Sequence, residues 1–275
     1  MEVDDISGVG ILQWETTVLN KPWFTAEFGL PGLELFSTSD TGISSFLIKI
    51  LKAAKEIIPA SNIFSNSLKI NTSIDFDMNW GLGSSSSLIS NIAYWLNIDP
   101  FELYWKVSEG SGVDIACART RRPVLYRLID RKPLIEEIDF KPSFRNNLYF
   151  IYLGRKKDSQ SAVREFKRKQ AGSPEIIKNI SDITMSMAHA GTIAEFEDSL
   201  IEHEKILSGI LEIPPVQMTY FADFHGKIKS LGAWGGDFVM VTWQGTEQDL
   251  QKYFRNKGLN TIFTYERMIP EVILQ

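Results

Sequence analysis

Apolar and polar residues alternate from Leu68 to Asn79. Leu68, Ile70, Thr72, Ile74, Phe76 and Met78 fall on one side, and Lys69, Asn71, Ser73, Asp75, Asp77 and Asn79 on the other. A period of two over that length predicts a half-buried strand. From Leu88 the period changes: Leu88, Ile92 and Leu96, flanked by Ile89 and Ala93, recur at helical spacing. Between the two lies Trp80-Gly81-Leu82-Gly83-Ser84-Ser85-Ser86-Ser87. The chain therefore runs strand, glycine–serine loop, helix.

The same patterns predict the rest. Gly10 to Val18 and Trp23 to Phe28 are β-rich and joined through Leu19-Asn20-Lys21-Pro22, a hairpin. Asp40 or Thr41 caps a helix with Ile43, Phe46, Leu47, Ile50, Leu51, Ala54 and Ile57 on one stripe, stopped by Pro59. Asp99-Pro100 opens a short helix, with Pro at its first position. Pro123 to Ile129 reads as a strand. A domain boundary is placed at 140–146, which gives domains of 1–143 and 144–275. Beyond it, Leu148 to Leu153 is a buried-type strand and a polar helix starts at about Ser159. Ser173-Pro174 opens another helix, and Thr192-x-x-Glu195 is a capping box for the next. Strands at about Lys227 to Ser230 and Phe238 to Trp243, a helix at about Thr246 to Asn256, and a strand at about Asn260 to Tyr265 complete the chain. The second half reads β-α(α)-β-β-α-β, the split βαβ pattern of a ferredoxin-like domain.

Composition narrows the class. At 275 residues, with 44% apolar and 23% charged residues, this is an ordinary globular chain. A net charge of −5 argues against a general nucleic-acid binder; the basic runs at Arg119, Arg121 and Arg122 and at Arg155, Lys156 and Lys157 read as solvated surface. One cysteine, Cys117, excludes an internal disulfide framework, fits a reducing compartment and reads as a small buried hydrophobe. No secretory signal opens the chain and no apolar run reaches the length of a membrane span, so a cytoplasmic protein is expected. His189, His203 and His225 form no metal-binding pair and read as core or surface.

Three stretches carry candidate chemistry. In the first, glycines let backbone approach a ligand, while the helix start offers unpaired N–H groups and the positive dipole end. Four hydroxyls add donors. This is the chemistry of an anion or phosphate site, with ordinary serine capping as the bland alternative. It is not a Walker A loop, because no lysine follows the glycines. In the second, Glu109-Gly110-Ser111-Gly112-Val113-Asp114-Ile115-Ala116-Cys117-Ala118, an acid sits among glycines and small apolar residues. A solvated turn is the alternative there. The third is Leu231-Gly232-Ala233-Trp234-Gly235-Gly236.

Taken in order, these motifs resemble those of the GHMP kinases, the galactose, homoserine, mevalonate and phosphomevalonate kinase superfamily. Gly81-Leu82-Gly83-Ser84-Ser85 is similar to the family's phosphate loop, and Ser111-Gly112-Val113-Asp114 to its S-G-x-D segment. Gly232 to Gly236 is similar to its C-terminal glycine loop, with Trp234 in place of a glycine. The resemblance is closest to mevalonate kinase-like bacterial members and spans about residue 10 to residue 265.

The resemblance implies an α+β protein of two domains. One is an N-terminal α/β domain of the ribosomal protein S5 domain 2-like type that binds ATP; the other is a C-terminal ferredoxin-like domain. It further implies an ATP- and Mg²⁺-dependent kinase acting on a small-molecule alcohol, mevalonate or a relative in isoprenoid biosynthesis. Other chemistries of the superfamily stay open, namely phosphomevalonate kinase, diphosphomevalonate decarboxylase and homoserine kinase, as does nucleotide or metabolite binding without turnover. Carried over residue by residue, Gly81, Leu82, Gly83, Ser84, Ser85 and Ser86 would wrap the ATP phosphates. Gly232, Ala233, Gly235 and Gly236 would close on phosphates or substrate. Asp114 would be the catalytic carboxylate, with Ser111 and Gly112 at the substrate. Ser85 and Glu102 would hold Mg²⁺, with Glu109 the next candidate. The family also opens with a strand and a P-G-K segment whose lysine lies beside the catalytic Asp. None precedes residue 10, so the opening strand is expected to be missing. An exposed sheet edge would then be open to another chain, as in a homodimer. No nucleic-acid or membrane partner is expected.

Overall fold

The computed structural model describes residues 1–8, 10–60, 63–155, 173–232, 234 and 236–269. The polar helix expected from about Ser159 lies outside them. The chain divides into two compact units, Met1–Met78 with Leu82–Glu137, and Asn79–Gly81 with Ile138–Gln275.

The first unit is built on a five-stranded sheet of order β1-β5-β2-β3-β4. β2 (Ile11–Val18) and β3 (Lys21–Gly29) form the expected hairpin. Its turn residues Leu19 and Asn20 have φ of 50° and 61°, the doubly positive geometry that matches strand twist. β4 (Glu34–Thr38) adds an edge. α1 (Thr41–Ile57) begins at Asp40, whose Oδ1 accepts from Gly42 N at 2.8 Å and Ile43 N at 2.9 Å. The chain then returns as β5 (Leu68–Ile74), parallel to β2.

Period two sets the core. Leu12, Trp14 and Thr16 of β2, Phe24, Ala26 and Phe28 of β3, and Leu68 and Ile70 of β5 are all buried. They meet Leu47, Ile50 and Leu51 of α1, Ile89 and Ile92 of α2 (Ser84–Leu96), and Leu103 of α3 (Pro100–Val107). Truncating any of these leucines to Ala would cost about 2–5 kcal/mol. α4 (Val113–Arg119) joins through Ile115, and a separate hairpin of β6 (Val124–Ile129) and β7 (Lys132–Glu137) follows.

Three expectations need correction here. The strand from Leu68 stops at Ile74, not Asn79, because Met78–Trp80 turn into a short 3-10 helix. Glu2–Asp5 form a strand, β1, antiparallel to β5, so β5 is paired on both sides and β1 itself is the edge of the sheet. Its four residues, three of them acidic, carry no apolar alternation that sequence reading could detect. Cys117 is exposed, not buried.

The second unit has a four-stranded antiparallel sheet of order β11-β8-β10-β9, formed by β8 (Leu148–Tyr152), β9 (Ile228–Ser230), β10 (Phe238–Thr242) and β11 (Ile262–Thr264). Counted within the unit, that order is 4-1-3-2, the arrangement expected of the ferredoxin-like pattern. Between β8 and β9 lie α5 (Pro174–Ala188), α6 (Ile193–Leu211) and a short α7 (Val216–Tyr220). α8 (Glu247–Asn256) precedes β11, and α9 (Tyr265–Met268) follows it. Thr192 and Glu195 make the reciprocal capping bonds expected of them.

Both sheet faces are covered. Tyr149, Ile151, Val239 and Val241 pack with Leu250 and Phe254 of α8. Leu148, Phe150 and Phe238 pack with Phe196 and Leu200 of α6. A strand buried on both sides reads as a continuous apolar run, as Leu148 to Leu153 does. Trp80 joins the second cluster, edge-on to Phe263 at 5.1 Å, and Tyr152 OH donates to Asn79 O at 3.0 Å. Among the described residues, no helix is long and apolar enough to cross a membrane.

Candidate functional site

The glycine–serine stretch is where the chain leaves the second unit at Gly81 and re-enters the first at Leu82. Its two glycines serve different ends. Gly81 has φ of 66°, and a Cβ there would run into the Asp237 carboxylate. Gly83 has φ of 79°, and a Cβ there would meet nothing within 4 Å. Gly83 is the N-cap of α2 and brings no side-chain capping bond. The first helical bond is Ser87 N to Gly83 O at 2.9 Å. The amides of Ser84, Ser85 and Ser86 thus form the helix's open first turn, where backbone donors and dipole favour an anion. Leu82 and Ser85 are exposed, Ser84 is half-buried, and Ser86 is buried. One turn on, the buried Ser90 Oγ has no hydrogen-bond partner among the described residues.

The second motif is held within the first unit. Gly112, with φ of 86°, is the N-cap of α4. A side chain there would press on the Phe101 ring at 3.2 Å. Ser111 Oγ accepts from Val113 N at 3.3 Å, and Tyr126 OH on β6 donates to Ser111 O at 2.6 Å. Asp114 occupies the first turn of α4, and α4 packs against α2. Its side chain reaches solvent, yet enough protein surrounds it that desolvation raises its carboxyl above the usual carboxylate value. Cys117, three residues on, has its thiol pushed up by desolvation and then by the Asp114 charge. The thiol therefore stays protonated and is a poor nucleophile.

The third motif follows β9 in the second unit. Gly232 has φ of 57° with open space around it, and Trp234 N donates to its carbonyl at 2.9 Å. Ala233 and Gly235 lie outside the described residues; Gly236 is described and precedes the buried Asp237. Trp234 is itself buried, and its indole Nε1 donates to Glu204 Oε1 of α6 at 3.1 Å. Glu204 also accepts from Ser230 N and Ser230 Oγ, each at 3.2 Å. Burial raises the Glu204 carboxyl, opposed by Lys229, Trp234 and Ser230.

Within the second unit the first and third motifs meet, through Gly81 and Asp237. Glu102 is exposed on α3, its N–H bonded to the Asp99 cap at 3.4 Å. Among the described residues, no three His, Cys, Asp or Glu gather as a metal cage. A hydroxyl, a carboxylate and a nucleotide's own phosphate oxygens together need no such cage. Sequence reading missed Asp237 and Glu204. Asp237 had a signal, an acid directly after Gly235-Gly236, the same feature that drew attention to Asp114. Glu204 had none, since it sits in the charged run Glu202-His203-Glu204-Lys205 and only the tertiary fold buries it.

No family model and no curated relative matches the chain. Solved structures do. Streptococcus pneumoniae phosphomevalonate kinase, in complex with phosphomevalonate and AMPPNP, superposes with a TM-score of 0.66 at 16% identity, over 94% of this chain and 87% of that one. L. major mevalonate kinase, in complex with R-mevalonate, gives 0.63 at 14%, over 95% and 83%. Lactococcus lactis galactokinase, in complex with galactose, gives 0.60 at 11%, over 97% and 81%. At these identities the likeness establishes the fold alone, one shared with these three kinases.

Proposed function

We propose that this chain is an ATP-dependent kinase of the GHMP type, which transfers the γ-phosphoryl group of ATP to the hydroxyl of a small alcohol, mevalonate or a related isoprenoid precursor. The observation that carries the reading is the open first turn of α2 behind two positive-φ glycines, with empty space over Gly83. A phosphate fits that cradle by both backbone donors and dipole. The fold shared with phosphomevalonate kinase in complex with phosphomevalonate and AMPPNP, and with mevalonate kinase in complex with R-mevalonate, supports the nucleotide and the acceptor class.

In this reading Gly81 to Ser86 bind the phosphates through amides and hydroxyls, and Gly232, Ala233, Gly235 and Gly236 are the further candidates for binding phosphate or substrate. Ser85 and Glu102 would hold Mg²⁺, which when bound neutralises phosphate charge. Ser111 and Gly112 place the acceptor beside Asp114. Asp114 takes the hydroxyl proton as the acceptor oxygen bonds to phosphorus and the bond to the ADP oxygen breaks. Such catalysis is mainly positioning and charge stabilisation, and a raised carboxyl pKa makes Asp114 a better base at neutral pH.

The test is to offer purified protein ATP and Mg²⁺ with mevalonate, phosphomevalonate, homoserine and galactose, reading ADP release. Acceptor-dependent release supports the kinase. ATP binding without release under any acceptor would favour a nucleotide-binding protein without turnover.

A further inference from the structure

We infer that Glu204 is a positioning residue for the third glycine motif, holding Ser230 and Trp234 so that Gly232 between them is presented to phosphate. The inference rests on the kinase reading for the identity of what the motif binds, and on the geometry of the second unit for everything else.

Three groups from the motif and its lead-in converge on one carboxylate. Ser230 closes β9 and gives both its N–H and its hydroxyl to Glu204; Trp234 gives its indole N–H. These two residues bracket Leu231 and Gly232. One buried side chain on α6 therefore holds the chain on both sides of Gly232, whose positive φ and open surroundings suit a close approach to a ligand. Trp234, which stands where the resemblance expects glycine, is in this light the part of the motif that α6 grips.

Charge balance supports a permanent anchor. Lys229 Nζ lies 3.7 Å from Glu204 Oε1 and 3.1 Å from His203 Nδ1. A buried carboxylate is tolerated when its oxygens are bonded and a cation stands near, and both conditions hold here. Binding groups held by packed, hydrogen-bonded neighbours lose less freedom when they engage a ligand.

The experiment uses the full 275-residue chain with Glu204→Leu, Glu204→Gln and Trp234→Phe. Gln keeps an oxygen for Trp234 and Ser230 N and an amide for Ser230 Oγ; Leu keeps neither. The readouts are KM for ATP against kcat, and backbone hydrogen exchange over residues 228–238. Expected for Leu is a KM raised about tenfold or more with a smaller effect on kcat, together with at least about tenfold faster exchange confined to that segment. Gln should rescue both to within about threefold, and Trp234→Phe should speed exchange even if the Leu variant fails to fold. Unchanged exchange in folded Leu and Phe variants, or Gln as damaging as Leu, overturns the inference. If the parent chain neither binds nor turns over ATP, the kinase reading fails, and exchange alone then decides the role of Glu204.

Discussion

The carboxylate of Asp237 occupies the space that a side chain on Gly81 would need. The end of the third glycine motif thereby lies against the start of the first, inside one compact unit. Gly81→Ala should therefore suffer twice, from the clash and from φ of 66°. The backbone part alone is worth about 1–2 kcal/mol, so chemical denaturation should show a loss above that. In the double variant Gly81→Ala with Asp237→Ala, the clash is gone and part of the loss should return. Strict additivity of the two single effects would show that the residues do not interact.

Asp114→Asn separates chemistry from stability. The folded-state pKa of Asp114 is raised by desolvation, so the fold favours the neutral carboxyl. Its contribution to stability is present below the unfolded-state pKa and is lost as pH rises through the folded value. At neutral pH the Asn variant should therefore be as stable as the parent or more so, while turnover falls by at least about 10²-fold. Parent turnover should also decline on the acid side, as the base becomes protonated. Near-parental turnover in a folded Asn variant would remove Asp114 from the mechanism.

His203 should report on acid stability. Burial, and then the Lys229 charge, lower its pKa from 6.5 to about 4. Folding thus excludes its proton, and the stability it contributes is complete above about pH 6.5 and lost as pH falls toward 4. At 1.36 kcal/mol per unit the loss is at most about 3 kcal/mol, and less because the ring keeps some solvent contact. Urea titrations at pH 7 and pH 4.5 should show a steeper acid loss for the parent than for His203→Gln. Equal losses would place the imidazole outside the buried cluster.

What was legible in the sequence follows from what is local. The β2–β3 hairpin, the Asp40 and Asp99 caps and the Thr192–Glu195 box are set by residues a few positions apart, and the structure keeps them. The alternation outruns β5, because Phe76 and Met78 continue it beyond Ile74. Met78–Trp80 instead turn into a short 3-10 helix, and Trp80 packs on Phe263 within the second unit. β1 and β7 are charged and short, so they are made by their partners rather than by their own pattern. Of the candidate site, the three motifs stood out as glycine and serine clusters. The nearness of Asp237 to Gly81, and the bonds of Glu204 to Ser230 and Trp234, come into view only when distant segments meet.

The most direct test of the central claim is the affinity of the chain for Mg²⁺–ATP, by calorimetry, for the parent and for Gly83→Val. A Cβ at residue 83 meets no protein atom within 4 Å. The substitution should cost only the backbone strain of a β-branched residue at positive φ, about 1–2 kcal/mol, and leave a folded protein. The valine methyls would, however, stand where phosphate must approach the open turn of α2. The account predicts measurable binding by the parent and at least about tenfold weaker binding, some 1.4 kcal/mol, by the folded variant. Equal affinity in both, or no binding by the parent, would contradict it.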